Sequence, residues 1–184
     1  MNDSVERLTQ VLPGSPGGHP KDWASATERL GTELPSDYVE FIEKVGGGYL
    51  DSYLYVLEPD CANDNYDLVD SAQERTEAFG YLWDDDPCEE KPSELDEPGA
   101  RLIPWASTDN GEFVYWLVRP GQHPDDWTIM INEARGDWWE RLDMGFARFL
   151  LSTLTGQIRA EILTDDFPTS PHTFRPFADP SWQA

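Results

Sequence analysis

Residues Glu33 to Asp51 read ELPSDYVEFIEKVGGGYLD, and the fold decision turns on the glycines Gly46, Gly47 and Gly48 that follow its apolar stripe. Such a run could cradle a phosphate or merely end a helix. Tyr38, Phe41, Ile42 and Val45 fall on one helical face, Pro35 suits a first turn that needs no N–H partner, and Asp37 suits the positive end of the dipole. A phosphate loop precedes its helix, so that free N–H groups face the anion, whereas these glycines follow one, where the free groups are carbonyls. The stretch therefore predicts a helix stopped by a glycine cap at positive φ, then a tight passage into a strand. On that reading a β-branched residue at Gly47 or Gly48 is strained by its φ. The strand predicted next is continuous from Tyr49 to Leu57, with Leu50, Leu54 and Val56 alternating against Tyr49, Asp51, Tyr53 and Tyr55.

Two short helices are predicted upstream. SVERLTQVL places Val5, Leu8, Val11 and Leu12 on a stripe with Ser4 as cap, and DWASATERLG runs from an Asp22 cap to a Gly31 stop. Downstream, Leu68, Ala72, Arg75 and Phe79 share a helical face. The segment from Asp84 to Ala100 carries eight acids against Lys91 alone, with three prolines and no periodicity, and predicts an exposed loop. ARLIPWA and EFVYWLVR flank Asn110-Gly111, a strong hairpin signal, and WTIMIN and WWERL extend an antiparallel meander. If Trp138 and Trp139 lie on a strand they point to opposite faces, leaving one exposed. A closing helix carries Phe146, Phe149, Leu150 and Leu154 and stops near Gly156. The expected organisation is one α+β domain over 1–157, with a proline-broken aromatic tail over 158–184 lying on it.

The charge balance excludes some functions. With 36 acids against 13 bases the formal net charge is −23, which disfavours direct binding of nucleic acid or anionic membrane and favours a basic partner. Acidity that serves only solubility is the alternative. No stretch has the length of a signal-peptide core or a bilayer span, so a cytoplasmic location is expected.

Candidate chemistry is sparse. Cys61 and Cys88 lack metal or redox spacing and read as free thiols. His19, His123 and His172 sit in separate proline-flanked loops without a nucleophile signature and are expected to be solvent-exposed. Asn63, Asn65, Asp67 and Glu74 mimic a calcium loop, but Leu68 stands where glycine is required, and capping by Asp64 or Asn65 explains the same letters. Carboxylate pairs for a hydrolase are uninformative in so acidic a chain, and alternating aromatics read as core before they read as a sugar platform. No catalytic residue, metal or cofactor is assigned.

Trp23, the ERLG of Glu28 to Gly31, the LPSDYVEF of Leu34 to Phe41, the glycine cluster, IPWASTDNG and YWL together resemble the SUKH superfamily, over about Trp23 to Leu154. That group includes fungal cell-wall synthesis regulators and bacterial immunity proteins of toxin systems. The resemblance implies an α+β domain, a mostly antiparallel sheet flanked by N-terminal helices and a closing helix, with Trp23, Leu34, Pro35, Tyr38, Phe41, Gly47, Gly48, Trp105 and Trp116 as structural residues. It also implies a non-enzymatic role, binding and neutralising a cognate toxin domain, often a nuclease. The acidic insertion over 84–100 and the tail depart from the family pattern. Asp84, Asp85, Asp86, Glu89, Glu90 and Glu94 are the candidate contacts to a basic partner. A regulatory scaffold and a small carboxylate-using hydrolase are the competing readings.

Overall fold

A computed structural model describes residues 2–14, 18–85 and 89–183. Its helices are α1 (Asp3–Val11), α2 (Trp23–Leu30), α3 (Ser36–Lys44), α4 (Leu68–Gly80) and α5 (Phe146–Leu154). The strands are β1 (Gly48–Leu50), β2 (Leu54–Val56), β3 (Arg101–Thr108), β4 (Phe113–Val118), β5 (Thr128–Asn132), β6 (Trp139–Leu142) and β7 (Phe174–Pro176). They form one seven-stranded sheet in the order β6-β5-β4-β3-β2-β1-β7, with every neighbour antiparallel. The fold is α+β, as expected.

Local chemistry sets the helix ends. Asp22 accepts from the Ser25 N–H at 2.9 Å and Gly31 closes α2 at φ +68°, both as predicted. The cap of α1 is Asn2 rather than Ser4: its side chain accepts the Ser4 N–H at 3.0 Å, two residues earlier than the stripe suggested. The cap position of α5 is Gly145, which has no side chain to offer, and the carboxylate of Asp37 on α3 accepts the Ala147 N–H at 2.8 Å instead. That cross-helix cap gives the Asp of LPSDY a structural reason.

The main core lies between one sheet face and the helices. Tyr38 is fully buried, donates to the Leu57 carbonyl at 2.7 Å, and meets Trp116 and Phe146 edge-on at 4.9 and 5.2 Å. Phe41 packs on the Phe146 ring at 5.4 Å. Between Pro104 and Ala106 the ladder shifts register, leaving Trp105 turned into the core against Phe146 at 4.9 Å. A proline is tolerated inside a central strand at such a bulge.

The glycine run is structural, but only partly for the expected reason. Gly46 alone of the three has positive φ, +85°, and its N–H returns to Ile42 at 2.9 Å. Gly47 and Gly48 instead have no room: a Cβ would meet the Val56 carbonyl at 2.7 Å and the Arg175 carbonyl at 2.6 Å respectively. The Gly47 N–H is already taken by the Glu58 carboxylate at 2.7 Å, and Glu58 pairs with Lys21 at 3.0 Å, side chains 7% and 4% exposed. A protein carboxylate, not a phosphate, occupies this turn.

The strand predicted from Tyr49 to Leu57 is a hairpin. Asp51 and Ser52 take φ +51° and +53°, and the Tyr53 N–H closes the turn on Leu50 at 3.0 Å. Two non-glycine residues in the left-handed region are held by the tail: the buried Asp51 carboxylate accepts the N–H groups of Thr169 at 3.1 Å and Thr173 at 2.7 Å and meets His172 Nδ1 at 2.9 Å. His172 is thus half-buried, against the expectation of exposure, while His19 and His123 are exposed. The tail does more than lie on the domain, because β7 extends the sheet beside β1.

Candidate protein-binding face

The sheet face opposite the main core carries a second cluster, in which Leu102, Tyr115, Leu117 and Met130 alternate with the core-facing residues of β3 to β5. Phe79 from α4 stacks on Trp83 at 4.3 Å, and Trp139 of β6 stands 6.0 and 6.2 Å from those rings. The Arg75 guanidinium sits 4.8 Å from the ring centres of both Phe79 and Phe113. Burial raises the Tyr115 phenol above its ordinary value, with the Arg75 charge pulling the other way.

The acidic segment, expected as an exposed loop, keeps Asp84, Glu90, Asp96 and Glu97 exposed but is tied to this cluster through Leu95. Leu95 is only 5% exposed and belongs to the cluster, Glu97 pairs with Arg119 at 2.9 Å, and the Glu90 N–H donates to Asp137 at 2.8 Å. Single apolar Leu95 was too weak a signal for periodicity to detect. Of the predicted contact residues, Asp84 and Glu90 are exposed and Glu89 and Glu94 half-buried. The side chain of Asp85, and Asp86 together with Cys88, lie outside what is described.

The Glu90 bond brings the segment against the β5–β6 turn, and there the exposed aromatics matter. Tyr81 and Trp138 are the exposed large apolar side chains among the described residues, at 56% and 47%. Trp139, the first residue of β6, turns to the cluster, while Trp138 lies just before the strand and is exposed; one tryptophan is exposed, but not by alternation along a strand. The Trp138 N–H donates to the Glu133 carboxylate at 2.9 Å, and its chain neighbour Asp137 accepts the Glu90 N–H, so the backbone of Glu90 is brought to the turn that carries Trp138, Glu133 and the base Arg135. Sequence reasoning found the acids of 84–97 but missed Glu133 and Asp137, which share the β5–β6 turn with Trp138.

The buried carboxylates are committed to structure. Asp51 holds the tail, Glu58 the glycine turn, and Glu112 accepts from Tyr53 at 3.1 Å and from Thr108. In the calcium-like stretch the caps are Asn63 and Asp67 rather than Asp64 or Asn65: Asp67 accepts from Val69 and Asp70, both at 2.9 Å, and from Cys61 at 3.2 Å. Among the described residues no group of acids, histidines and cysteines is arranged to hold a metal, and no helix is long and apolar enough to cross a membrane. Cys61 is a free thiol that burial pushes up to about 12.

Searches of curated proteins and of solved structures return no match. A family model, SUKH_6, described as SMI1-KNR4 cell-wall, matches residues 20–150, a span that contains the glycine turn, the Asp37 cap, the Trp105 bulge and the exposed Trp138. The chain therefore belongs to the SUKH family.

Proposed function

We propose that this chain is a non-catalytic protein-binding module of the immunity type, which neutralises a basic toxin domain, such as a nuclease, at the corner where the acidic segment meets the β5–β6 turn. One observation carries the reading: an exposed tryptophan, Trp138, lies on a turn with Glu133 and Asp137, to which Asp137 ties the acidic segment through the Glu90 N–H, on a chain of net charge −23. Interfaces draw most of their binding energy from a few aromatic anchors, while complementary charge at the rim steers encounter. A nuclease presents a basic cleft to nucleic acid, and an acidic surface is attracted to it over long range. Co-expression with nuclease toxin domains, first among them any that is found encoded beside this chain, tests the proposal. A stoichiometric complex and survival of the host cell are expected, and both should weaken in Trp138→Ala. A folded chain that neither binds nor protects would contradict the immunity reading and favour a regulatory scaffold.

A further inference from the structure

We propose that the groove between α2 and α3 docks a basic amphipathic helix of a partner protein, apolar along one face and carrying Lys or Arg beside that face. The groove encloses about 470 Å³. Trp23 and Thr27, four residues apart, line it from α2, while Ser36, Val39, Glu40 and Glu43, at i, i+3, i+4 and i+7, line it from α3. It therefore follows both helices, along α3 for about two turns, roughly 10 Å. This is not the face of α3 that Tyr38, Phe41 and Ile42 bury in the core. Trp23 and Val39 pack against the core's edge yet stay only half-buried, and the buried Leu34 completes an apolar floor between them.

Every charged residue of the lining is an acid: Glu33, Glu40 and Glu43. Glu40 is paired with Lys44 at 2.6 Å. Glu33 and Glu43 are exposed and have no cationic partner among the described residues, the Glu43 carboxylate accepting only the Trp23 indole N–H at 3.1 Å. Asp125 brings a further acid to the Ser36 end, where it accepts the Ser36 N–H at 2.6 Å. Free carboxylates along the rim of an apolar groove match a helix whose apolar face is flanked by cations, and they repel an acidic one. The overall charge of −23 draws any basic segment to the protein, but only an apolar floor chooses where an amphipathic one rests. The groove lies on the helix side of the sheet, whereas Trp138 belongs to the β5–β6 turn. The inference thus goes beyond the proposed partner-binding corner and does not rest on it.

The test uses the whole protein labelled with 15N and follows the Trp23 and Trp138 indole cross-peaks, each identified by its loss in the corresponding Trp→Phe variant. The probe is the amphipathic peptide acetyl-LKKLLKLLKKLLKL-amide, with two controls: Ser in place of every Leu, which keeps the charge, and Glu in place of every Lys, which reverses it. The Leu/Lys peptide should move the Trp23 peak saturably, the Ser/Lys peptide should bind there about tenfold more weakly or less, and the Leu/Glu peptide should leave it in place. Val39→Lys, which sets a cation on the floor, should weaken the Leu/Lys peptide by about tenfold or more. Glu33→Gln combined with Glu43→Gln, at exposed positions and with an acceptor kept for the Trp23 N–H, should weaken it measurably and guards against loss of fold in Val39→Lys. Equal binding of the Leu/Lys and Ser/Lys peptides, movement of the Trp138 peak alone, or unchanged affinity in the folded variants would each overturn the proposal. So would self-association that moves the Trp23 peak without peptide, since a second copy would then be the occupant.

Discussion

Replacing Glu58 by Gln keeps an oxygen for the Gly47 N–H but removes the charge that neutralises Lys21. At 3.0 Å and an effective dielectric of about 20, the lost attraction is about 5–6 kcal/mol. With side chains only 4% and 7% exposed, the stranded ammonium has little water to turn to. Breaking one side of a buried pair typically costs about 3–5 kcal/mol, because desolvation of the remaining ion is no longer offset. For a chain of this size that lowers Tm by about 6–20 °C. The Lys21→Met variant should lose stability too, since it leaves the Glu58 carboxylate with Gly47 alone. The double variant Lys21→Met/Glu58→Gln, apolar and uncharged, should recover much of the loss. Urea unfolding at neutral pH completes the cycle, with equal slopes required for the comparison. A coupling below about 0.5 kcal/mol would refute the account of the pair as the lock on the glycine turn.

Gly48→Ala should cost about 1–3 kcal/mol by urea unfolding, because its Cβ meets the Arg175 carbonyl at 2.6 Å and β7 must move; an unchanged midpoint would show that the close approach is not required. Burial raises the Asp37 carboxyl above 3.8, outweighing the Ala147 and Tyr38 N–H bonds, so the protonated form is favoured by folding. Its contribution is fully present below 3.8 and is lost as pH rises through the higher folded value, so the Tm of wild type relative to Asp37→Asn should fall from pH 3.5 to pH 6, roughly; a flat difference would remove Asp37 from the pH dependence. Truncation before His172 removes β7 and two partners of Asp51, and amide exchange in β1 and at the Asp51–Ser52 turn should accelerate by more than about tenfold, while β4 and β5 stay protected. Uniform acceleration would mean that the tail stabilises the whole domain and not its edge.

Local signals carried the helices and the meander. Asp22 and Gly31 are a cap and a stop by side-chain chemistry alone, and Asn110-Gly111 names its own hairpin, closed with Gly111 at φ +95°. What escaped depends on partners distant in sequence. The Asp51–Ser52 turn exists because Thr169, His172 and Thr173 hold its carboxylate, and no local pattern announces a left-handed Asp-Ser pair. Gly47 and Gly48 share that logic, since β2 and β7 occupy the space of their missing side chains. The corner proposed to bind a partner was half legible. Charge density marked Asp84 and Glu90, yet the Trp138 that gives the surface an anchor is brought to them by the Glu90–Asp137 bond.

Stopped-flow association with a toxin domain that this chain is found to neutralise, across a salt series, tests the central claim most directly. The variant Asp84→Asn/Glu90→Gln/Asp137→Asn should associate about tenfold more slowly at low salt and show a flatter salt dependence, because exposed charge sets the encounter rate. Trp138→Ala should leave that rate nearly unchanged and speed dissociation by about tenfold or more. An unaltered salt slope in the first variant together with unaltered dissociation in the second would place the partner on some other surface and contradict the account.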